Sequence, residues 1–96
     1  MLGSVVECFL VETPQLMNGL RQAVAESDPA AVVQRAHTLK TSMNYFGIRK
    51  GFALAIQLEQ MGRRADLAGA QETFAALEGE VARAMSVLAE YERSAK

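Results

Sequence analysis

Apolar residues recur along the first part of the chain at steps of three and four, the period of a helix with one buried face. Thr13 can cap a helix that begins at Pro14, because proline lacks the N–H group that a first helical residue leaves unpaired. The pattern therefore predicts a short N-terminal helix and a second, nearly collinear helix from Pro14 to about Ser27. The buried face is expected to contain Val6, Phe9 or Leu10, Thr13, Leu16 or Met17, Leu20 and Val24.

Two further helices are predicted on either side of Gly47. Asp28 and Pro29 repeat the pattern of an N-cap followed by proline, so a helix is expected from there until Gly47 ends it. After this turn, a helix is expected from about Arg49 to Met61, ended by the Gly62-Arg63-Arg64 segment. The residues that mark it are Phe52, Ala55, Ile56 and Glu59.

The last predicted helix follows Asp66, which can serve as its N-cap. Its apolar residues alternate steps of three and four, as the a and d positions of a heptad repeat do. Such a seam needs partner helices to cover it. The seam comprises Leu67, Ala70, Phe74, Leu77, Val81, Ala84, Leu88 and Tyr91.

Together these segments predict an all-α protein. No Asn-Gly or Asp-Gly hairpin signal is present, and the connections between the predicted helices are short. Because short connections favour antiparallel neighbours, we expect an antiparallel four-helix up-down bundle with a short additional N-terminal helix. The 96 residues have the size of one small domain, and residues 1–96 are expected to form a single one.

Charge and hydropathy narrow the range of partners. Ten basic and 11 acidic residues are mixed along the chain, so no basic field of the kind that holds a nucleic acid is expected. No apolar run approaches the roughly 20 residues of a membrane span, and we expect no membrane contact by this domain. Cys8 lies among apolar residues and is expected to be a buried thiol, which fits a reducing, cytoplasmic location.

His37 is the single histidine of the chain. A lone histidine in a helical bundle is most simply a core or surface residue with no chemical task. At about 100° per residue, however, His37 projects opposite the apolar stripe of its helix, with Lys40 on its own side. An imidazole exposed to water near pH 7 keeps a lone pair that can attack phosphorus, and a neighbouring ammonium can neutralise phosphoryl oxygens. The stripe consists of Val32, Ala36, Leu39, Met43 and Phe46.

Other chemistries have little support in the sequence. With one histidine and no carboxylate within a turn of it, a metal site is disfavoured, and serine- or cysteine-type triads lack their usual residues as well. No glycine-rich loop of the G-x-x-x-x-G-K-[ST] type is present to hold a nucleotide. A phosphoryl group would therefore come from another protein, and no intrinsic cofactor is expected.

The segment Ala36-His37-Thr38-Leu39-Lys40-Thr41-Ser42, followed by Phe46-Gly47 and then by Leu58-Glu59, resembles the signature of the histidine phosphotransfer (HPt) family. In that family the pattern is roughly A-H-x-L-K-G-[SA], with a glycine ten residues after the histidine, as Gly47 is here, and a later L-E or similar pair. The segments around Phe9-Leu10 and Leu20-Arg21 also resemble the family's first helices, so the resemblance covers nearly the whole chain. Thr41 departs from the pattern, because the family usually has glycine there.

The resemblance implies a role for each residue of the site. His37 would be the phosphorylated residue, and Lys40 would stabilise the phosphoryl group. Glu59 would face the histidine from the next helix and orient its imidazole, although a carboxylate on the helix surface with no such task is an equal alternative. A response-regulator receiver domain would supply the Mg²⁺ and dock on a surface formed by Ala30, Val33, Thr41 and Asn44.

The function implied is that of a phosphorelay intermediate, which accepts a phosphoryl group on His37 and exchanges it with the aspartate of receiver domains. Such a chain is a phosphocarrier and not an enzyme. Its expected partners are receiver domains and a hybrid sensor histidine kinase, and the chain itself is expected to be a monomer. It would be either a free-standing relay protein or one domain of a larger hybrid sensor kinase.

Two other interpretations remain open. The dimerisation and phosphoacceptor domain of a histidine kinase is also helical, but it typically has an acidic residue directly after its histidine, where this chain has Thr38. The second is a helical interaction or dimerisation module with a degenerate HPt site, in which His37 is not phosphorylated and the seam from Leu67 to Tyr91 pairs with another chain.

Overall fold

The computed structural model describes residues 5–94, and these residues are helical or lie in short turns. The helices are α1 (Val5–Ala25), α2 (Pro29–Tyr45), α3 (Arg49–Arg63) and α4 (Ala70–Ser94), with no strand among the described residues. The all-α prediction is confirmed for this part of the chain. None of the described helices has both the length and the apolar character needed to cross a membrane.

α1 differs from its prediction, because no separate short helix precedes Pro14. One continuous helix contains this proline. A proline inside a helix removes a backbone hydrogen bond and usually costs about 3 kcal/mol or more. Here Pro14 lies on the exposed side, while Phe9, Thr13 and Met17 are buried together on the other. We attribute the continuity of α1 to this shared buried face, in which Thr13 is a packed side chain and not an N-cap.

Both predicted ends of α2 are confirmed. Oδ1 of Asp28 accepts a hydrogen bond from the backbone N–H of Ala31 at 3.2 Å, and Pro29 is the first helical residue. At the other end Gly47 has a φ of +68°, a conformation that suits glycine. The N–H of Gly47 donates to the carbonyl of Asn44, and the next N–H along the chain donates to the carbonyl of Met43. This pair of bonds is the Schellman motif that ends many helices.

α3 ends within the predicted Gly62-Arg63-Arg64 segment, and α4 begins later than predicted. Gly62 does not end α3, which continues to Arg63, and the left-handed residue of its C-terminal turn is Ala65, with a φ of +53°. Asp66 accepts a hydrogen bond from the N–H of Ala68, but α4 begins only at Ala70. Gly62 is helical and is buried where α3 contacts α2.

The core is built from all four helices, which contact one another in a ring: α1 with α2, α2 with α3, α3 with α4, and α4 with α1. In α4 the first part of the predicted seam is buried, whereas Tyr91 is 62% exposed. Cys8 is also exposed, so the predicted buried thiol is wrong; the rotation of α1 turns its neighbour Phe9 inward instead. The most deeply buried large side chains are Leu20, Val32, Leu39, Met43, Leu58 and Leu77.

Candidate functional site

His37 lies on the exposed side of α2, and 58% of its side chain is accessible to solvent. The sequence placed it opposite an apolar stripe, and four residues of that stripe are completely buried: Val32, Ala36, Leu39 and Met43. The fifth, Phe46, is half-buried and caps the end of the helix. A core histidine is therefore excluded, and the imidazole is open to a macromolecular partner.

Glu59 reaches His37 from the middle of α3. Its Oε2 atom lies 3.1 Å from Nδ1 of His37, across the contact between α2 and α3. The side chain of Glu59 is only 5% exposed, so the alternative of an ordinary helix-surface carboxylate does not hold. A charge with so little access to water is stable only when it is paired and hydrogen-bonded.

Two cations complete the surroundings of the Glu59 carboxylate. Nζ of Lys40 donates to Oε1 at 2.9 Å, and Nη2 of Arg63 donates to Oε2 at 2.9 Å. One carboxylate thus accepts hydrogen bonds from α2 and from its own helix. No buried side-chain nitrogen or oxygen among the described residues lacks a hydrogen-bond partner.

These donors hold Glu59 in its ionised form. The hydrogen bond from Lys40 lowers the pKa of Glu59 most, and the bonds from Arg63 and His37 and the charge of Lys40 act in the same direction. Burial opposes them, because removing a carboxylate from water favours its neutral form. The balance lowers the pKa of Glu59 from an ordinary 4.5 to about 2.

An ionised Glu59 determines which nitrogen of His37 carries the proton. A carboxylate without a proton can only accept hydrogen bonds, so Nδ1 must be the donor in this contact. In a neutral imidazole the other nitrogen, Nε2, then has the free lone pair. The contact with Glu59 therefore favours the neutral tautomer that carries its proton on Nδ1.

Arg63 is the functional candidate that the sequence analysis missed. The sequence pattern indicates only that Arg63 lies in the segment that ends α3, and in the structure it is the last residue of that helix. The signal that could have found it is local, because Glu59 and Arg63 are four residues apart and such pairs meet on a helix surface. The pair was not predicted because the expected helix ended at about Met61, before Arg63, whereas α3 includes both residues.

The four predicted docking residues share the side of α2 on which His37 lies. Ala30, Thr41 and Asn44 are exposed, whereas Val33 is half-buried against α3. The hydroxyl of Thr41 donates to the backbone carbonyl of His37 at 3.2 Å, so it is bound within its own helix. The structure thus brings His37, Lys40 and Glu59 into direct contact and leaves the other residues as a surface around them.

The geometry agrees with the result of comparing the chain with known families. The family model described as "Hpt domain" matches residues 4–87, which is most of the chain. Neither a curated protein nor a solved structure matches the chain significantly. The matched region includes His37, Lys40, Glu59 and Arg63. The chain therefore belongs to the HPt family, the histidine phosphotransfer domains of two-component phosphorelays.

Proposed function

We propose that this chain is a phosphorelay intermediate that accepts a phosphoryl group on Nε2 of His37 and passes it to the aspartate of a response-regulator receiver domain. The observation that carries the proposal is the hydrogen bond between Nδ1 of His37 and the buried carboxylate of Glu59. This bond occupies the nitrogen that bears the proton. Nε2 is left as the nucleophilic nitrogen on a side chain that is 58% exposed, so a partner can reach the imidazole.

The transfer step follows from this arrangement. The lone pair of Nε2 attacks the phosphorus of an aspartyl phosphate while the bond between phosphorus and the aspartate oxygen breaks, and the aspartate leaves as a carboxylate. Nδ1 keeps its proton, so the ring gains a positive charge, and the negative charge of Glu59 lies against it. In the opposite direction an aspartate oxygen attacks phosphorus and the electrons of the P–N bond return to Nε2.

Lys40 is proposed to stabilise the phosphoryl group. Its ammonium group is bound to Glu59, and its side chain is 26% exposed, so it lies at the edge of the site next to His37. An ammonium has three N–H donors, and a contact with Glu59 leaves donors for phosphoryl oxygens. By family analogy the receiver domain supplies the acidic pocket and the Mg²⁺. This chain supplies a nucleophile on a rigid helix, which makes it a phosphocarrier and not an enzyme.

The proposed docking surface consists of Ala30, Val33, Thr41 and Asn44 around His37. Small and half-buried side chains on both sides of the histidine allow a receiver domain to approach the helix closely. We expect a modest, transient interface with receiver domains and with a hybrid sensor kinase, formed by a monomer in the cytoplasm. Light scattering on the isolated chain tests the monomer, and a dimer at micromolar concentration would contradict it.

We further propose that residues 1–96 form one domain whose helices run up and down, each antiparallel to the next. Three contacts support this arrangement for α2 with α3 and for α1 with α4. Gly51 at the start of α3 packs against Met43 near the end of α2, and Gly62 near the end of α3 packs against the beginning of α2. Arg21 near the end of α1 forms an ion pair with Glu78 in the first part of α4.

The alternative of an unphosphorylated interaction module has less support. It requires the seam of α4 to pair with another chain, but Ala70, Phe74, Leu77 and Val81 are already buried within the bundle. The more exposed end of α4 is too short a part of the seam to make a stable coiled coil by itself. The phosphorylation test below separates the two functions.

The deciding experiment is incubation with a phosphorylated receiver domain, followed by electrophoresis in a phosphate-affinity gel. We expect an acid-labile, base-stable label on the wild type and none on His37→Gln. Because His37 is exposed, this variant should keep its fold, which circular dichroism checks. A label that survives in His37→Gln, or no label on the wild type across a panel of receiver domains, would contradict the proposal.

A further inference from the structure

Arg63 lies beside the imidazole of His37, and neither the sequence pattern nor the proposed transfer step gives it a task. Its Nη2 donates to Oε2 of Glu59, the same oxygen that accepts from Nδ1 of His37. Two nitrogens bound to one oxygen are separated by at most two hydrogen-bond lengths. The guanidinium group is therefore next to the ring and on the side where α3 ends.

The exposure of the two cations differs. The side chain of Arg63 is 62% exposed, compared with 26% for Lys40. A guanidinium has five N–H donors in a rigid plane, and the contact with Glu59 involves Nη2. The guanidinium has further N–H donors on this largely exposed side chain, and their spacing suits pairs of phosphate oxygens better than a single ammonium does.

The charges around His37 are unbalanced before any phosphoryl group arrives. Lys40 and Arg63 bring two positive charges to the single negative charge of Glu59. A neutral imidazole does not change this balance, so these four residues leave one excess positive charge beside the ring of His37. A phosphoryl dianion on that nitrogen would be attracted to the cation that can turn toward it most freely, which is the long and exposed side chain of Arg63.

We infer that Arg63 is a second phosphoryl-binding cation of this site, which donates N–H bonds to the phosphoryl oxygens on His37 while Lys40 remains close to Glu59. The inference rests on the proposed function, because it needs His37 to be phosphorylated. It predicts that Arg63 accelerates transfer by contacting the transferred group itself, independently of any contact with a receiver domain.

Phosphoramidate tests this contact because it is a small donor with no docking surface. Nε2 attacks its phosphorus, the P–N bond breaks, and ammonia leaves. The rate of labelling of His37 is measured on a phosphate-affinity gel for the wild type, Arg63→Gln and Arg64→Gln. Arg64 is the matched control, because it is an adjacent exposed arginine whose replacement changes the net charge equally. Thermal melting checks that both variants fold.

We expect Arg63→Gln to be labelled about twofold to fivefold more slowly than the wild type, the effect of one charge-assisted contact at an exposed site, and Arg64→Gln to be nearly unaffected. Equal rates for Arg63→Gln and Arg64→Gln would overturn the inference while leaving the proposed function intact. A wild type that phosphoramidate and phosphorylated receiver domains both fail to label on His37 would overturn the proposed function and the inference together.

A second comparison separates contact with the phosphoryl group from an effect through Glu59. If Arg63 acts only by holding Glu59, its replacement should have no further effect in a Glu59→Gln background. We expect Arg63→Gln to slow labelling in that background as well. Loss of the effect there would make Arg63 a positioning residue and would overturn its assignment as a phosphoryl ligand.

Discussion

Gly62 lies where α3 comes closest to α2, and replacing it by alanine tests the packing on which the site depends. A Cβ atom at this position would lie 2.7 Å from Cγ2 of Val33 and 2.8 Å from the carbonyl oxygen of Pro29. The Val33 side chain could rotate, but the Pro29 carbonyl belongs to the backbone of α2. The two helices would have to move apart to accept one methyl group.

The size of the effect follows from two opposing contributions. Alanine in place of a helical glycine stabilises a helix by up to about 1 kcal/mol, whereas overpacking costs about 1–3 kcal/mol. Because a backbone atom limits the space, we expect an overpacking cost in the upper part of that range. The free energy of unfolding should then fall by about 1–2 kcal/mol in total. Gly79 in α4 is the matched control, since a Cβ there meets nothing within 4 Å. Gly79→Ala should gain up to about 1 kcal/mol.

Urea unfolding followed by circular dichroism measures the free energy of unfolding of both variants. In thermal unfolding, a change of 1 kcal/mol corresponds to about 4–8 °C in Tm for a domain of this size. Glu59 precedes Gly62 by one turn of α3, and Val33 precedes His37 by one turn of α2. Displacing the helices should therefore also lengthen the hydrogen bond between Glu59 and His37 and slow the labelling of His37. A Gly62→Ala variant as stable as Gly79→Ala would contradict the close approach of α3 to α2.

Three further predictions concern single side chains. The lowered pKa of Glu59 stabilises the fold fully above about pH 4.5 and progressively less as the pH falls to about 2. Glu59→Gln should therefore remove up to about 3 kcal/mol of pH-dependent stability between these pH values. A free energy of unfolding that varies with pH equally in the wild type and the variant would contradict this. Ala65 has a φ of +53°, so Ala65→Gly should raise the free energy of unfolding by about 1 kcal/mol, measured in urea, and a decrease would argue against the left-handed turn. Thr41→Gly and Thr41→Ala should both speed transfer from a receiver domain if the bulk of this residue hinders docking, whereas an unchanged or slower rate in both would exclude steric hindrance.

The sequence by itself determined the features that depend on neighbours along the chain. Asp28 and Gly47 define the ends of α2 through bonds to residues a few positions away. The capping side chain of Asp28 and the φ preference of Gly47 were therefore sufficient to predict both ends. The exposure of His37 follows from its spacing relative to an apolar stripe on the same helix. For the same reason the all-α class could be predicted before any contact between helices was known.

Tertiary structure decided the features that depend on how one helix lies against another. Pro14 was expected to separate two helices, but burial of the same face on both sides keeps α1 continuous. Gly62 was expected to belong to the segment that ends α3, but it is helical and buried where α3 contacts α2.

The contact between Glu59 and His37 joins residues 22 positions apart and depends on the rotation and height of α3 relative to α2. Sequence spacing contains no information on these two quantities, because they are set by how side chains of different helices fill their shared space. That packing buries the Glu59 carboxylate among Lys40, Arg63 and His37, and so decides which nitrogen of a neutral imidazole keeps its free lone pair.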